Sequence, residues 1–267
     1  MSRDNLIERL KRFPPIHALR KARFERYAQS PEGRGLCWGA FPTFEEAKRA
    51  IPADTRLGYD NDQCAQMYAD RLEQIFPYDY PVLFWLRSAL TPGSSVFDIG
   101  GHVGLHYHSY RRYLPELETV SWTVCEVPAV VERGRKLAIE RSAPTLAFTS
   151  DFSSIDGKEI VLSAGALQYL EQTTITELIA SVSRPPQHVI LNKIPLHDGP
   201  DFVTVENTGP SQSPYRNFNR AKFIDEFRRL GYEHVDSWDV PGRLHHMPYH
   251  PELSYEHSSG VYFARKT

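Results

Sequence analysis

One stretch constrains this chain more than any other: Val96-Phe97-Asp98-Ile99-Gly100-Gly101-His102-Val103-Gly104. Its apolar residues Val96, Phe97 and Ile99 predict a short strand covered on both faces. The glycines allow a sharp turn and let a ligand come close to the backbone. A helix follows, and its N-terminal amides can face a polar group. Asp98 closes the strand at its carboxyl end, where open α/β sheets bind ligands. A dinucleotide site needs G-x-G-x-x-G, but Val103 and Leu105 stand where that pattern needs glycine. The alternative to a ligand site is an ordinary strand-to-helix turn.

An acid two residues before the first glycine suits a ligand that carries an ammonium group and a ribose but no phosphate. S-adenosylmethionine (SAM) fits that description. The stretch resembles motif I of class I SAM-dependent methyltransferases, acid-x-Gly-x-Gly-x-Gly. Asp98, Gly100 and Gly104 match it, Gly101 lies within it, and His102 replaces the middle glycine. Glu126 lies 22 residues beyond Gly104, at the end of the next predicted strand. A carboxylate there can accept both ribose hydroxyls of a nucleoside, and the family places its ribose-binding acid at that point. The alternative is a surface acid at a strand end.

From Ser95 onward the pattern alternates strand and helix, which predicts a mostly parallel sheet with right-handed crossovers. Strands are expected at 95–99, 121–126, 145–149, 159–163 and 188–191, with helices over 103–113, 128–140 and 172–181. A long connection, 195–218, leads to a helix at 220–230. Two last strands, 232–238 and 260–265, complete a Rossmann-like seven-stranded methyltransferase sheet with helices on both faces, its last strand antiparallel. The N-terminal part reads as a helical cap or lid. Helices are expected over 4–12 and 17–29, broken by Pro14-Pro15, and 30–42 reads as a loop. Thr43, with Glu46 three residues on, caps a helix over 44–50. Asp62 caps another over 62–75, and the apolar spacing over 80–90 packs a last one onto the core. The domains are thus 1–90, the cap, and 91–267, the SAM-binding domain.

Further candidates follow from position. Asp151-Phe152 comes after the third strand, where the family binds adenine with an acid and an apolar neighbour; a loop acid beside a core aromatic is the alternative. Ala164 and Gly165, small residues after the fourth strand, leave room for the methionine part of SAM. Tyr169 can turn its ring toward a sulfonium, since aromatic faces attract cations, or can pack in the core. His197 beside Asp198 follows the fifth strand and is a candidate general base, with a turn-forming Asp-Gly beside a structural His as the alternative. Tyr215 and Arg216 precede the last helix and either line a substrate pocket or cap that helix. Tyr59 and Tyr68 can form an aromatic lid that excludes water, or can simply pack the cap onto the core. His102, His106 and His108 are close, but no Cys or acid nearby in sequence completes a zinc ligand set, so no metal is expected.

The net charge of −2 gives no general attraction to nucleic acid or anionic lipid. No apolar run approaches the ~20 residues that span a bilayer. Residues 1–26 carry eight Lys or Arg against three acids, which reads as a solvated helix face. Cys37, Cys64 and Cys125 show no paired spacing, which favours a reducing cytoplasm.

Several stretches together are similar to a bacterial family of methyltransferase-like proteins, mostly uncharacterised and often associated with polysaccharide or natural-product gene clusters. They are Gly58-Tyr59-Asp60, Phe97 to Gly101, Trp122 to Pro128, Ser163 to Leu170, Pro195 to Phe202 and Pro214 to Arg220. The resemblance implies SAM as cosubstrate and transfer of its methyl to an oxygen or nitrogen of a small molecule, a natural product or a sugar. One alternative is a SAM-consuming enzyme that transfers no methyl, such as a cyclase forming azetidine-2-carboxylate and methylthioadenosine. A second is an inactive SAM-binding scaffold. The expected partner is a small molecule, with no nucleic acid and no membrane, and the expected state a monomer or homodimer.

Overall fold

The computed structural model describes residues 13–61, 63–64, 71–242 and 245–266. The expected helix over 4–12, the Asp62 cap and Tyr68 lie outside the described residues. Helix α1 spans Pro14–Gln29. This helix begins at Pro14, three residues before the expected start at 17, because a proline in the first turn gives up only an amide that would be unpaired there. Strand β1 (Cys37–Phe41) follows within the stretch expected as a loop. Helix α2 (Phe44–Ala50) begins as its cap predicts, with the Thr43 hydroxyl accepting from the Glu46 amide at 3.2 Å. Residues 71–75, expected to be helical, form no α-helix. Helix α3 (Tyr80–Ala89) buries Val82, Leu83 and Leu86.

The alternating part then runs β2 (Ser95–Ile99), α4 (Leu105–Tyr110), β3 (Ser121–Cys125), α5 (Pro128–Glu140), β4 (Leu146–Thr149), β5 (Ile160–Ala164), α6 (Ile175–Ala180) and β6 (His188–Ile194). Next come β7 (Leu196–His197), β8 (Phe202–Asn207), β9 (Gln212–Asn219), α7 (Arg220–Arg229), β10 (Tyr232–Val240) and β11 (Ser258–Arg265). The main sheet has seven strands in the order β10-β11-β6-β5-β2-β3-β4. Strands β2 to β6 pair in parallel, and β11 runs antiparallel to both its neighbours. The chain reverses its winding direction at β2, flanked by β5 and β3, so a crevice opens above the carboxyl ends of these three strands.

Both sheet faces are covered, as the apolar strands predicted. Val96, Trp122, Val124 and Ile160 pack with Val82 and Leu86 of α3 and with Tyr107 and Tyr110 of α4. Phe97, Ile99, Val161 and Val189 face the other way, toward Ile175, Ile179, Phe223 and Phe227. This alternation decides where Asp98 goes. It shares a face with Val96 and points under α4.

The segment 195–218 is not a simple connection. It folds into β7, β8 and β9, and β1 joins them in a second sheet of order β1-β8-β9-β7. The hairpin of β8 and β9 turns at Thr208–Ser211, where the Thr208 hydroxyl bonds Ser211 and Gly209 takes φ 97°. Trp38 pairs with Val205, donates to Gln212 at 3.2 Å, and packs with Ala28, Phe44, Ala47 and Val203. The N-terminal segment is therefore helical in α1 and α2, and its β1 also completes a sheet whose other strands lie more than 150 residues downstream. No helix among the described residues is long and apolar enough to cross a membrane.

Candidate functional site

A cavity of about 680 Å³ lies above the carboxyl ends of β2, β3 and β5, within the ~300–1,000 Å³ typical of small-ligand sites. Its floor is the glycine turn. Gly100 takes φ 71° and a Cβ there would come 2.1 Å from the Ala166 Cβ. Only glycine lets the turn after β2 close onto the loop after β5. His102 occupies the left-handed region at φ 54°, the conformation that a glycine would adopt at no cost. Its ring meets the Cys64 carbonyl at 2.9 Å, and burial holds its pKa below the usual histidine range.

Glu126 stands at the end of β3 and faces the cavity. Its carboxylate accepts from the His102 amide at 3.2 Å and from its neighbour Val127 at 2.9 Å. Protein surrounds it on every side except the cavity. Burial pushes its pKa up to about 7; the two amides oppose that rise, and the charges of Asp98 and Asp60 add to it. A carboxylate so placed holds two more acceptor positions toward the cavity, as a ribose diol requires.

Asp98 does not line the cavity. It is fully buried, receives the Trp122 indole at 3.3 Å and sits 3.0 Å from Nδ1 of His106. The turn rests directly on it, since a Cβ on Gly101 would come 2.2 Å from the carboxylate. The strand pleat is the cause: one residue's alternation separates Asp98 from the edge that Glu126 occupies. Gly101 and Gly104 likewise shape the turn from below, Gly104 at φ 91° as the N-cap of α4.

Across the cavity, Ala164, Gly165 and Ala166 leave β5 and lead to Tyr169. The Tyr169 hydroxyl donates to Glu206 of β8 and lies 3.3 Å from the Tyr59 hydroxyl. The Tyr59 and Tyr169 rings meet edge to face at 4.9 Å. Tyr215 is buried behind Tyr169, ring to ring at 5.5 Å, and does not reach the cavity. Tyr59 is held in place because Asp60 caps α5, accepting from Ala129 at 3.0 Å, and because Gly58 donates to Gln212.

The remaining candidates are placed apart. Phe152 lines the cavity. Asp151 is exposed and turned onto Ser153, whose hydroxyl and amide hold its pKa below the usual aspartate range. His197 is buried between Phe202 and Tyr255, its Nδ1 accepting from Gly199, and burial lowers its pKa. Asp198 points to solvent and pairs with Arg220 at 3.5 Å. The two side chains diverge, and neither borders the cavity, so they form no base pair there. Arg216 lies in a second cleft of about 260 Å³, its guanidinium 4.8 Å from the Phe44 ring. Among the described residues no group of three or more His, Cys, Asp or Glu is gathered to hold a metal ion.

Sequence reasoning did not single out several residues of the cavity wall, Glu206, Lys193, Asp79 and Tyr110, and it weighed His106 only as a metal ligand. For Glu206 a signal exists, because Phe202-Val203-Thr204-Val205-Glu206 alternates with period two. Lys193, at φ 56°, places its ammonium 4.8 Å from the Tyr78 ring.

The seven-stranded order, with an antiparallel strand inserted between β6 and β10, is the sheet of class I SAM-dependent methyltransferases. Solved structures agree. A 1,6-didemethyltoxoflavin N1-methyltransferase of Burkholderia thailandensis, determined with 1,6-didemethyltoxoflavin and S-adenosylhomocysteine, superposes with a TM-score of 0.50 at 19% identity, over 76% of this chain and 82% of that one. A protein of Galdieria sulphuraria assigned as a sarcosine dimethylglycine methyltransferase gives 0.51 at 14% identity, over 78% and 99%. This chain has the class I methyltransferase fold. No family model and no curated protein matches it in sequence.

Proposed function

We propose that this chain binds SAM in the 680 Å³ cavity and transfers its methyl group to an oxygen or nitrogen of a small molecule. The observation that carries the reading is Glu126. It is an acid at the end of the second parallel strand, open to the cavity, and bonded through its own carboxylate to the glycine turn. In this reading Glu126 accepts the ribose hydroxyls, Phe152 packs on the adenine, and the bare backbone of Gly100 and Gly165 admits the chain between nucleoside and amino acid.

When bound, SAM supplies a methyl group on a sulfonium. The chain's own residues align the acceptor and take up its proton. Tyr169 faces the cavity with its hydroxyl on Glu206, so a proton leaving the acceptor passes to the Tyr169 oxygen as the phenolic proton moves to Glu206. The methyl ends on the acceptor, the proton on Glu206, and the neutral thioether leaves. Alignment of this kind can supply ~7–11 kcal/mol of the barrier, and positioned proton transfer adds ~10²–10⁴-fold.

The test is mass analysis of purified protein incubated with SAM alone and with SAM plus small-molecule extract. Acceptor-dependent S-adenosylhomocysteine supports methyl transfer. Methylthioadenosine arising from SAM alone, above the spontaneous rate, would replace this reading with cleavage of the aminobutyrate chain. Absence of calorimetric SAM binding by folded protein would leave only a scaffold.

A further inference from the structure

Asp98 is fully buried beneath the turn, yet it is harnessed to a side chain that does border the cavity. Both its oxygens lie within reach of His106 Nδ1, at 3.0 and 3.1 Å, and the Trp122 indole donates to the same carboxylate. Among the described residues nothing bonds the other ring nitrogen, Nε2, although the imidazole is only a tenth exposed. In the tautomer that gives its Nδ1–H to Asp98, Nε2 is an acceptor with its orientation fixed by a buried acid.

The turn separates this imidazole from Glu126. On one side the His102 amide reaches Glu126, and on the other the chain runs into the first turn of α4, which carries His106. Glu126, Gly100 and His106 line one cavity, so a nucleoside held at Glu126 can extend its 5′ substituent across Gly100 toward His106. The wall there holds groups of both signs. Asp79 takes the Tyr110 hydroxyl at 3.3 Å, Tyr110 lies ring to ring with His106 at 5.6 Å, and Arg71 borders the same cavity. A substituent with both an ammonium and a carboxylate matches such a wall.

We propose that His106, oriented by Asp98, binds the aminocarboxylate tail of the nucleoside ligand, its Nε2 accepting from the ammonium group. This rests on the SAM reading and goes beyond it, because it assigns the motif acid an indirect role: Asp98 is a positioning residue and His106 makes the contact.

The experiment is calorimetry with two probes, S-adenosylhomocysteine, which has the tail, and 5′-methylthioadenosine, which lacks it. Wild type is expected to prefer the homocysteine compound. His106→Ala and His106→Gln are expected to weaken that compound about tenfold and to leave methylthioadenosine within about twofold. Asp98→Asn is expected to act in the same direction. Retained methylthioadenosine binding also reports that each variant is folded. Equal weakening of both probes, or no change in either, overturns the proposal while the SAM reading stands. If wild type binds neither probe, both fall.

Discussion

Glu126→Gln separates stability from binding, because the same burial that opens Glu126 to a ligand makes its charge costly without one. The carboxyl moves from an ordinary 4.5 to about 7 in the folded chain. Once ionised it therefore carries a penalty of about 3 kcal/mol. The sign follows from which state holds the proton more tightly. Between pH 4.5 and 7 the folded chain keeps a proton that the unfolded chain has lost. The contribution to stability is therefore complete below 4.5, declines through that window, and is gone above 7. Glutamine removes the charge but offers only one oxygen to two amides, those of His102 and Val127. The mismatched amide costs about 1 kcal/mol. At pH 8 the variant without ligand should thus gain about 2 kcal/mol. For a chain of 267 residues that raises the melting midpoint by about 4 °C. Near pH 5 the wild type is already protonated and the gain should vanish.

Ligand binding should change in the opposite direction. Hydrogen bonds from ribose hydroxyls to a carboxylate are worth about 1.5–3 kcal/mol more than their loss leaves behind, so S-adenosylhomocysteine should bind Glu126→Gln about 10–100-fold more weakly. The two assays are scanning calorimetry at pH 5 and pH 8 and titration calorimetry at pH 8. A variant that melts lower at pH 8, or by the same margin at both pH values, refutes the buried-charge argument. A variant that binds like wild type refutes the ribose role.

Three further outcomes follow from other residues. Gly100→Ala places a Cβ 2.1 Å from Ala166 at φ 71°, and should lose about 2–5 kcal/mol in urea denaturation; adding Ala166→Gly should restore part of it, and strictly additive losses would show that the two residues do not press on each other. Tyr169→Phe keeps the ring but breaks the bond to Glu206, so SAM affinity should stay within about threefold while release of S-adenosylhomocysteine with an accepting extract falls about 100-fold. Trp38→Ala empties the centre of the second sheet's core and should destabilise the chain by about 3–5 kcal/mol; an unchanged urea midpoint would mean that β1 does not hold the cap in place.

The main sheet was legible because its signals are local. The strands from Val96 to Leu191 are short apolar runs bounded by turn residues, and burial on both faces is the cause of that pattern in the inner ones, while the edge strand β4 leaves Ala147 exposed. Glu126 was legible because its position depends only on a strand end and a count of residues from the glycine turn. Asp98 shows the limit of such counting. It lies near the carboxyl end of β2 as expected, but its direction depends on the pleat and on His106, eight residues on, closing over it. The second sheet was hidden for a different reason. Gly39 interrupts β1, and Asp198-Gly199-Pro200 and Gly209-Pro210 punctuate the β7–β9 segment. Pairing between Trp38 and Val205 is invisible to any window of local sequence. His197 and Asp198 looked like a dyad because they are neighbours in the chain, yet successive residues in extended backbone point to opposite sides.

These two sheets divide the proposed work. The nucleoside half of the cavity is built from the core alone: the turn after β2, Glu126 after β3, and Phe152 and Gly165 after β4 and β5. The other half needs three segments that no local motif joins, since Tyr59 comes from the cap, Tyr169 from the loop after β5, and Glu206 from β8. The cap is held beside Tyr169 by the pairing of β1 with β8, by the Gly58 bond to Gln212 and by Asp60 capping α5. Changes in the cap or in the β8–β9 hairpin should therefore alter what meets the methyl group without altering how the nucleoside is held. Tyr59→Phe tests this most directly. It removes one hydroxyl 3.3 Å from Tyr169 and leaves every core contact in place. S-adenosylhomocysteine affinity should stay within about twofold, while the rate with an accepting extract should fall. A parallel loss of nucleoside affinity would show that the two halves are one coupled site.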